Sequence, residues 1–138
     1  MDAPQALVIA AGVHAGFQAT ITLVTYPMLV ATPAATWTQV HAAHWRRINP
    51  LVAVVYGAVV AAWVWAFTSD GGVGPSLWVA AAGSVITGTA TALRAAPTHT
   101  HLRREGPRPE LLRRLLRADQ LRAVGALLTF AGALVAAW

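Results

Sequence analysis

Four apolar runs constrain this chain more than anything else in it: Ala6–Val30, Leu51–Phe67, Leu77–Ala96 and Leu121–Trp138. They run from 17 to 25 residues, about the range that a helix needs to cross a bilayer's hydrocarbon core. A soluble domain burying four such helices would need a polar coat. Only 11% of the residues are charged and 57% are hydrophobic, against roughly 25% charged in a typical soluble domain. The expected fold is therefore all-α, an integral membrane four-helix bundle in which residues 1–138 form one domain. The first run is expected to remain as a span and not to be removed as a signal peptide. Its leader, Met1–Gln5, has no Lys or Arg, and its apolar stretch is too long for a signal core.

Charge gives the orientation. All ten basic residues are arginines, and the net charge is +5. Arg46 and Arg47 lie between spans one and two; the other eight, from Arg94 to Arg122, lie between or beside spans three and four. The N-terminal tail, the Ser69–Ser76 loop and the C-terminus carry none. The positive-inside rule then places the arginine side in the cytoplasm and both termini outside, in a bacterial-type plasma membrane. Trp63, Trp65, Trp78 and Trp138 fall at the opposite ends of their spans, as an interfacial aromatic belt would. Nucleic acid is not an expected partner, because no aromatic residues interleave with the arginines. The arginine run is instead expected to set topology and to meet anionic lipid. The absence of cysteine excludes disulfides, thiolate metal sites and haem-thiolate.

Between spans one and two, Ala34–Ile48 reads as a cytoplasmic-side amphipathic helix bounded by Pro33 and Asn49-Pro50. Trp37, Val40, His41, His44, Trp45 and Ile48 share one face. This helix either lies in the interface or extends span two with a kink at Pro50. Glu110–Asp119 reads as a helix continuing into span four. Small residues recur at four-residue steps in Gly12/Gly16/Thr20, Ala53/Gly57/Ala61 and Ala80/Ser84/Gly88/Ala92. Such stripes let helix backbones approach closely. They serve packing within the bundle or, alternatively, a homo-oligomer.

The polar residues inside the spans point to a site. His14, Gln18, Thr22 and Tyr26 form one stripe on span one, and such side chains are costly against lipid. Span three adds Ser84, Thr87 and Thr91, hydroxyls that can also bond back to their own helix. Antiparallel topology brings His41, His44, His99 and His101 to the same end, with Asp119 and Arg122 entering from span four. Imidazoles suit Zn, Cu, Fe and Ni. Interfacial anchoring at the headgroups is the plainer alternative for these histidines. His14 lies about 18 Å deeper than Tyr26 and should not share their ion.

The segments His14-Ala15-Gly16-Phe17, Tyr26-Pro27, Trp37…His41…His44 and Ile48-Asn49-Pro50 resemble a small four-span membrane family that includes the anthrone oxygenases of polyketide pathways. Pro97-Thr98-His99-Thr100-His101-Leu102 and Leu116–Arg122 resemble one branch of it, with Asp119 where that branch carries Asn. The resemblance implies four helices and oxidation of small hydrophobic or aromatic molecules, and it points to His44, His99, Asp119 and Arg122. His14, Tyr26-Pro27 and Pro50 are also similar, more weakly, to four-span haem proteins of the protoporphyrinogen oxidase and copper-resistance type.

The expected function is a membrane-bound, metal-dependent oxidoreductase acting on a small lipophilic substrate drawn from the bilayer or the cytoplasm. His41, His44 and His99 are the expected metal ligands, with His101 as a candidate fourth, and copper or iron is favoured over zinc. Asp119 would orient a ligand histidine. Arg122 would pair with Asp119 or hold a substrate oxyanion. Tyr26 joins these two as a reacting group, and His14, Gln18, Thr22 and Thr91 line the pocket. The alternatives are a haem b protein and a non-enzymatic transporter or assembly subunit.

Overall fold

A computed structural model describes residues 1–69 and 74–138. They form four long helical spans, Ala3–Val30, Trp37–Thr68, Pro75–Glu105 and Pro109–Ala136, each long and apolar enough to cross a membrane. No strand occurs among the described residues. The short turn expected at Ser69–Ser76 has its middle, residues 70–73, outside them.

The distribution of polarity is that of a membrane protein. Ile9, Val13, Leu23, Val54, Val85, Leu93, Leu127 and Val135 are exposed on the outside of the bundle, while His14, Gln18, His41, His99, Asp119 and Arg122 are buried inside it. Water would favour the reverse arrangement; lipid favours this one. The chain is a multi-pass membrane protein with a bilayer around its helices.

Spans two and three run on through a proline. The amphipathic segment takes the second of its two expected arrangements and extends span two. It continues from Trp37 to Thr68 as one helix with Pro50 inside it. The third span likewise passes Pro97 and runs to Glu105. A proline inside a helix removes its own N–H bond and crowds the carbonyl four residues back. Spans one and three relieve this by the same device, a π-turn just before the proline. It covers Ile21–Thr25 ahead of Pro27 and Thr91–Ala95 ahead of Pro97. Each is closed by a bond spanning five residues, Tyr26 N–H to the Ile21 carbonyl and Ala96 N–H to the Thr91 carbonyl. Such turns are rare within helices and are often found at functional sites.

Termini follow ordinary capping. Asp2 and Gln5 form a reciprocal capping box, with bonds of 2.9 and 3.2 Å. Gly106, at φ +79°, ends the third span in a conformation that favours glycine, and Pro109 opens the fourth.

Spans three and four are packed backbone to backbone. A Cβ on Gly83 would sit 2.5 Å from the Gly125 carbonyl oxygen, and one on Gly132 would sit 2.6 Å from the Ala80 nitrogen. A Cβ on Gly125 would collide with the Thr87 hydroxyl. The contact face of span three is therefore Ala80, Gly83, Thr87 and Ala90, and Gly88 has open space beside it. Of the other glycines in the small-residue stripes, Gly12 meets the Phe130 ring, whereas Gly16 and Gly57 meet nothing.

Spans two and three are held apart by side chains. Trp63 donates its indole N–H to Ser84 at 2.9 Å, and the Tyr56 and Thr91 hydroxyls meet at 2.8 Å. Trp63 thus belongs to the core and not to an interfacial belt; Trp65, Trp78 and Trp138 are exposed. Leu7, Ala11, Val59, Trp63, Ala80 and Ala133 pack one end of the bundle. Ile21, Tyr26, Leu29, Trp37, Leu102 and Leu115 pack the other.

Candidate active site at the histidine-rich end

The gap between spans two and three opens into a cavity of about 140 Å³. His44, Trp45, Ile48, Asn49 and Val52 line one wall, and Thr91, Ala95, Ala96 and His99 line the other. Ile21 and Tyr26 of span one and Arg122 of span four complete the lining. The volume is close to the roughly 150 Å³ of an engineered apolar cavity that takes up benzene, so the space is that of one small ring.

A chain of hydrogen bonds runs away from this cavity. Arg122 Nη1 donates to the Tyr26 hydroxyl at 3.1 Å. The Tyr26 hydroxyl meets His99 Nε2 at 3.1 Å, and His99 Nδ1 meets His41 Nε2 at 3.1 Å. Guanidinium has no acceptor, so the tyrosine oxygen accepts from Arg122 and gives its own proton to His99. A neutral imidazole has one donor and one acceptor nitrogen. His99 therefore accepts at Nε2 and donates from Nδ1, and His41 accepts at Nε2. This assignment follows from the network and fixes one direction along four side chains. Trp37 stacks on His41 at 5.1 Å between centroids and donates to the Leu102 carbonyl. The two π-turns place both ends of the Tyr26–His99 bond, since each residue follows one of them within the next eight residues.

His44 stands beside this chain. Its ring lies 5.7 Å from His99 and 6.4 Å from His41, centroid to centroid. Its Nε2 is buried without a partner. A tetrahedral ion with nitrogen bonds of about 2.0–2.1 Å holds its donors roughly 3.3 Å apart. The 3.1 Å between His41 Nε2 and His99 Nδ1 is near that spacing. Among the described residues, no three His, Asp or Glu side chains are already drawn together as a ligand set.

The remaining expected site residues fall into other places. His101 is turned outward and pairs with Glu105 at 2.8 Å. The helix is continuous from Ala96 to Glu105, so residues 99 and 101 lie about 200° apart around it. Asp119 neither orients a histidine nor pairs with Arg122. It accepts from Gln18 Nε2 at 2.7 Å, and the same amide reaches Thr22 at 3.2 Å. Arg122 bonds Tyr26 instead, and its Nε is buried without a partner.

His14 occupies a separate, deeper level, with its ring edge-on to Tyr56 at 4.8 Å and both nitrogens unpartnered. Thr91 lines the cavity as expected, while Thr22 and Gln18 stand behind it with Asp119. Tyr56 and Trp45 were not among the expected site residues. Tyr56 carries the one hydroxyl of span two between Leu51 and Phe67, a signal that was available.

No family model, curated protein or solved structure matches this chain.

Proposed function

We propose that this chain is an integral membrane enzyme for a small lipophilic molecule bearing a hydroxyl or carbonyl oxygen. The observation that carries this reading is the one-way chain Arg122–Tyr26–His99–His41, which begins at the wall of a ring-sized cavity. An apolar ring fits between Ile48 and Val52 on one side and Ala95 and Ala96 on the other. The unpartnered Nε2 of His44 accepts the proton of its hydroxyl. The oxyanion that results rests against the Arg122 guanidinium, whose Nε is buried without a partner. The proton stays on His44, while the bonds from Tyr26 through His99 to His41 hold Tyr26, and with it Arg122, at the cavity wall. Entry from the bilayer suits both the apolar lining and the exposed helices around it.

The resemblance to the anthrone oxygenases suggests oxidation, and two features favour a second, metal-dependent reading. The donor spacing between His41 and His99 is near that of a coordinated pair, and His44 has a buried free nitrogen beside them. Copper or iron held by these three histidines would supply the one-electron chemistry that protein side chains lack. The ring-sized cavity favours an ion over a haem.

Equilibrium binding of p-cresol and toluene to detergent-purified protein tests the first reading, with Ile48→Trp as the filled-cavity control. We expect p-cresol to bind at least about tenfold more tightly, because a site built for a hydroxyl rejects the analogue without it. Equal affinities overturn the reading. Elemental analysis tests the second. Stoichiometric copper or iron, lost in His44→Ala and His99→Ala and kept in His101→Ala, supports the metal; equal content in all three rejects it. The arginine end is assigned to the cytoplasm of a bacterial-type plasma membrane. A C-terminal reporter active only in the cytoplasm would reverse that assignment.

A further inference from the structure

We infer that the groove formed by Arg94, Arg113, Arg114 and Arg117, where spans three and four meet, is a headgroup site for an anionic phospholipid. It is independent of the histidine cavity and encloses about 620 Å³, with Glu110 as its remaining lining residue. Glu110 approaches Arg113 at 3.7 Å. Arg94, Arg114 and Arg117 have no carboxylate within ion-pair distance among the described residues. Gathering such charges is unfavourable unless an anion comes between them, and guanidinium forks match phosphate oxygens two at a time.

Depth selects the source of the phosphate. About 20 helical residues span the hydrocarbon. Counting from the opposite end of the bundle, Pro75 to Arg94 and Ala136 back to Arg117 are each a run of about that length. Both arginines therefore stand where the hydrocarbon ends and the lipid phosphates begin. Below Arg117, Leu121, Val124 and Leu128 continue at four-, seven- and eleven-residue steps on span four, and all three are exposed. A charged cradle above an apolar face fits a headgroup with its acyl chains and gives a free phosphate ion nothing to do with the lower half.

Native mass spectrometry of protein extracted from vesicles of equal parts phosphatidylglycerol and phosphatidylcholine tests this. Phosphatidylglycerol should be retained in preference. Arg94→Gln and Arg117→Gln should each reduce that retention about fivefold, the effect of one arginine near a charged surface. Arg46→Gln/Arg47→Gln, at the same end of the bundle, should leave it unchanged. All these side chains are exposed, and an unchanged melting temperature verifies the fold of each variant. Three results would overturn the site: no preference between the lipids, equal losses in the groove and control variants, or displacement by inorganic phosphate at concentrations equal to the lipid.

Discussion

Span three meets its two neighbours in opposite ways. Against span four it presents Ala80, Gly83 and Thr87 to Gly125, Thr129 and Gly132, and the backbones touch. Against span two it is spaced off by Tyr56, Trp63 and the His41–His99 pair. Without a hydrophobic force between helices in lipid, close van der Waals packing of small residues is the firmer bond. The weld on one side allows the gap on the other. A rigid pair of spans can carry half of a cavity wall without collapsing onto the remaining half.

The largest effect should come from breaking the weld. Gly125→Val places methyl groups against the Thr87 hydroxyl and the Gly83 carbonyl, where no flexible side chain can give way. A loss of at least about 3 kcal/mol, the upper range of overpacking, is expected in a denaturation series. Gly57→Ala, beside open space in a helix interior, should cost nothing and gain up to about 1 kcal/mol. Similar losses for both would abolish the distinction between the two interfaces.

Next is Arg122→Met. Arg122 is buried with no carboxylate in ion-pair reach among the described residues, so its charge is poorly compensated. An apolar replacement of similar length should leave the melting temperature unchanged or higher. The preference for p-cresol over toluene should nevertheless vanish, a loss of about tenfold. A lower melting temperature with intact preference would make Arg122 structural.

Tyr56→Phe should be milder. It removes one interhelical bond, while Thr91 keeps its bond to the Thr87 carbonyl. Interhelical bonds of this kind contribute about 0.6 kcal/mol on average. A loss above about 2 kcal/mol would mean that the spacing of spans two and three rests on this one contact. Smallest of all, His101→Ala should leave the melting temperature unchanged, since the pair is solvent-screened and its partner Glu105 also pairs with Arg108.

The spans were legible because hydrocarbon thickness translates directly into run length, and four runs met it. Burial of His14, Gln18 and Tyr26 was legible too, since lipid tolerates such side chains poorly. What could not be read was azimuth. The stripe Ala80/Ser84/Gly88/Ala92 is regular at four-residue steps, yet the contact face drifts to Gly83 and Thr87 because a helix turns every 3.6 residues. Val40 was grouped with His41 and His44 but is exposed. The partners of Asp119 and Arg122 depend on how span four is rotated, and local spacing carries no such information. His101 illustrates the same limit: its separation from His99 in space depends on whether the helix survives Pro97.

The two π-turns give chain length between fixed points a second meaning. Each holds one residue more than an α-turn needs, and one residue is worth about 100° of rotation. Thr91–Ala95 therefore sets the phase of everything after it, including His99 and Leu102. Deleting Leu93 alone would leave every side chain of the candidate site in the protein. It would also swing His99 about a quarter-turn away from Tyr26 and His41, so that a shorter third span could keep its composition and lose its address.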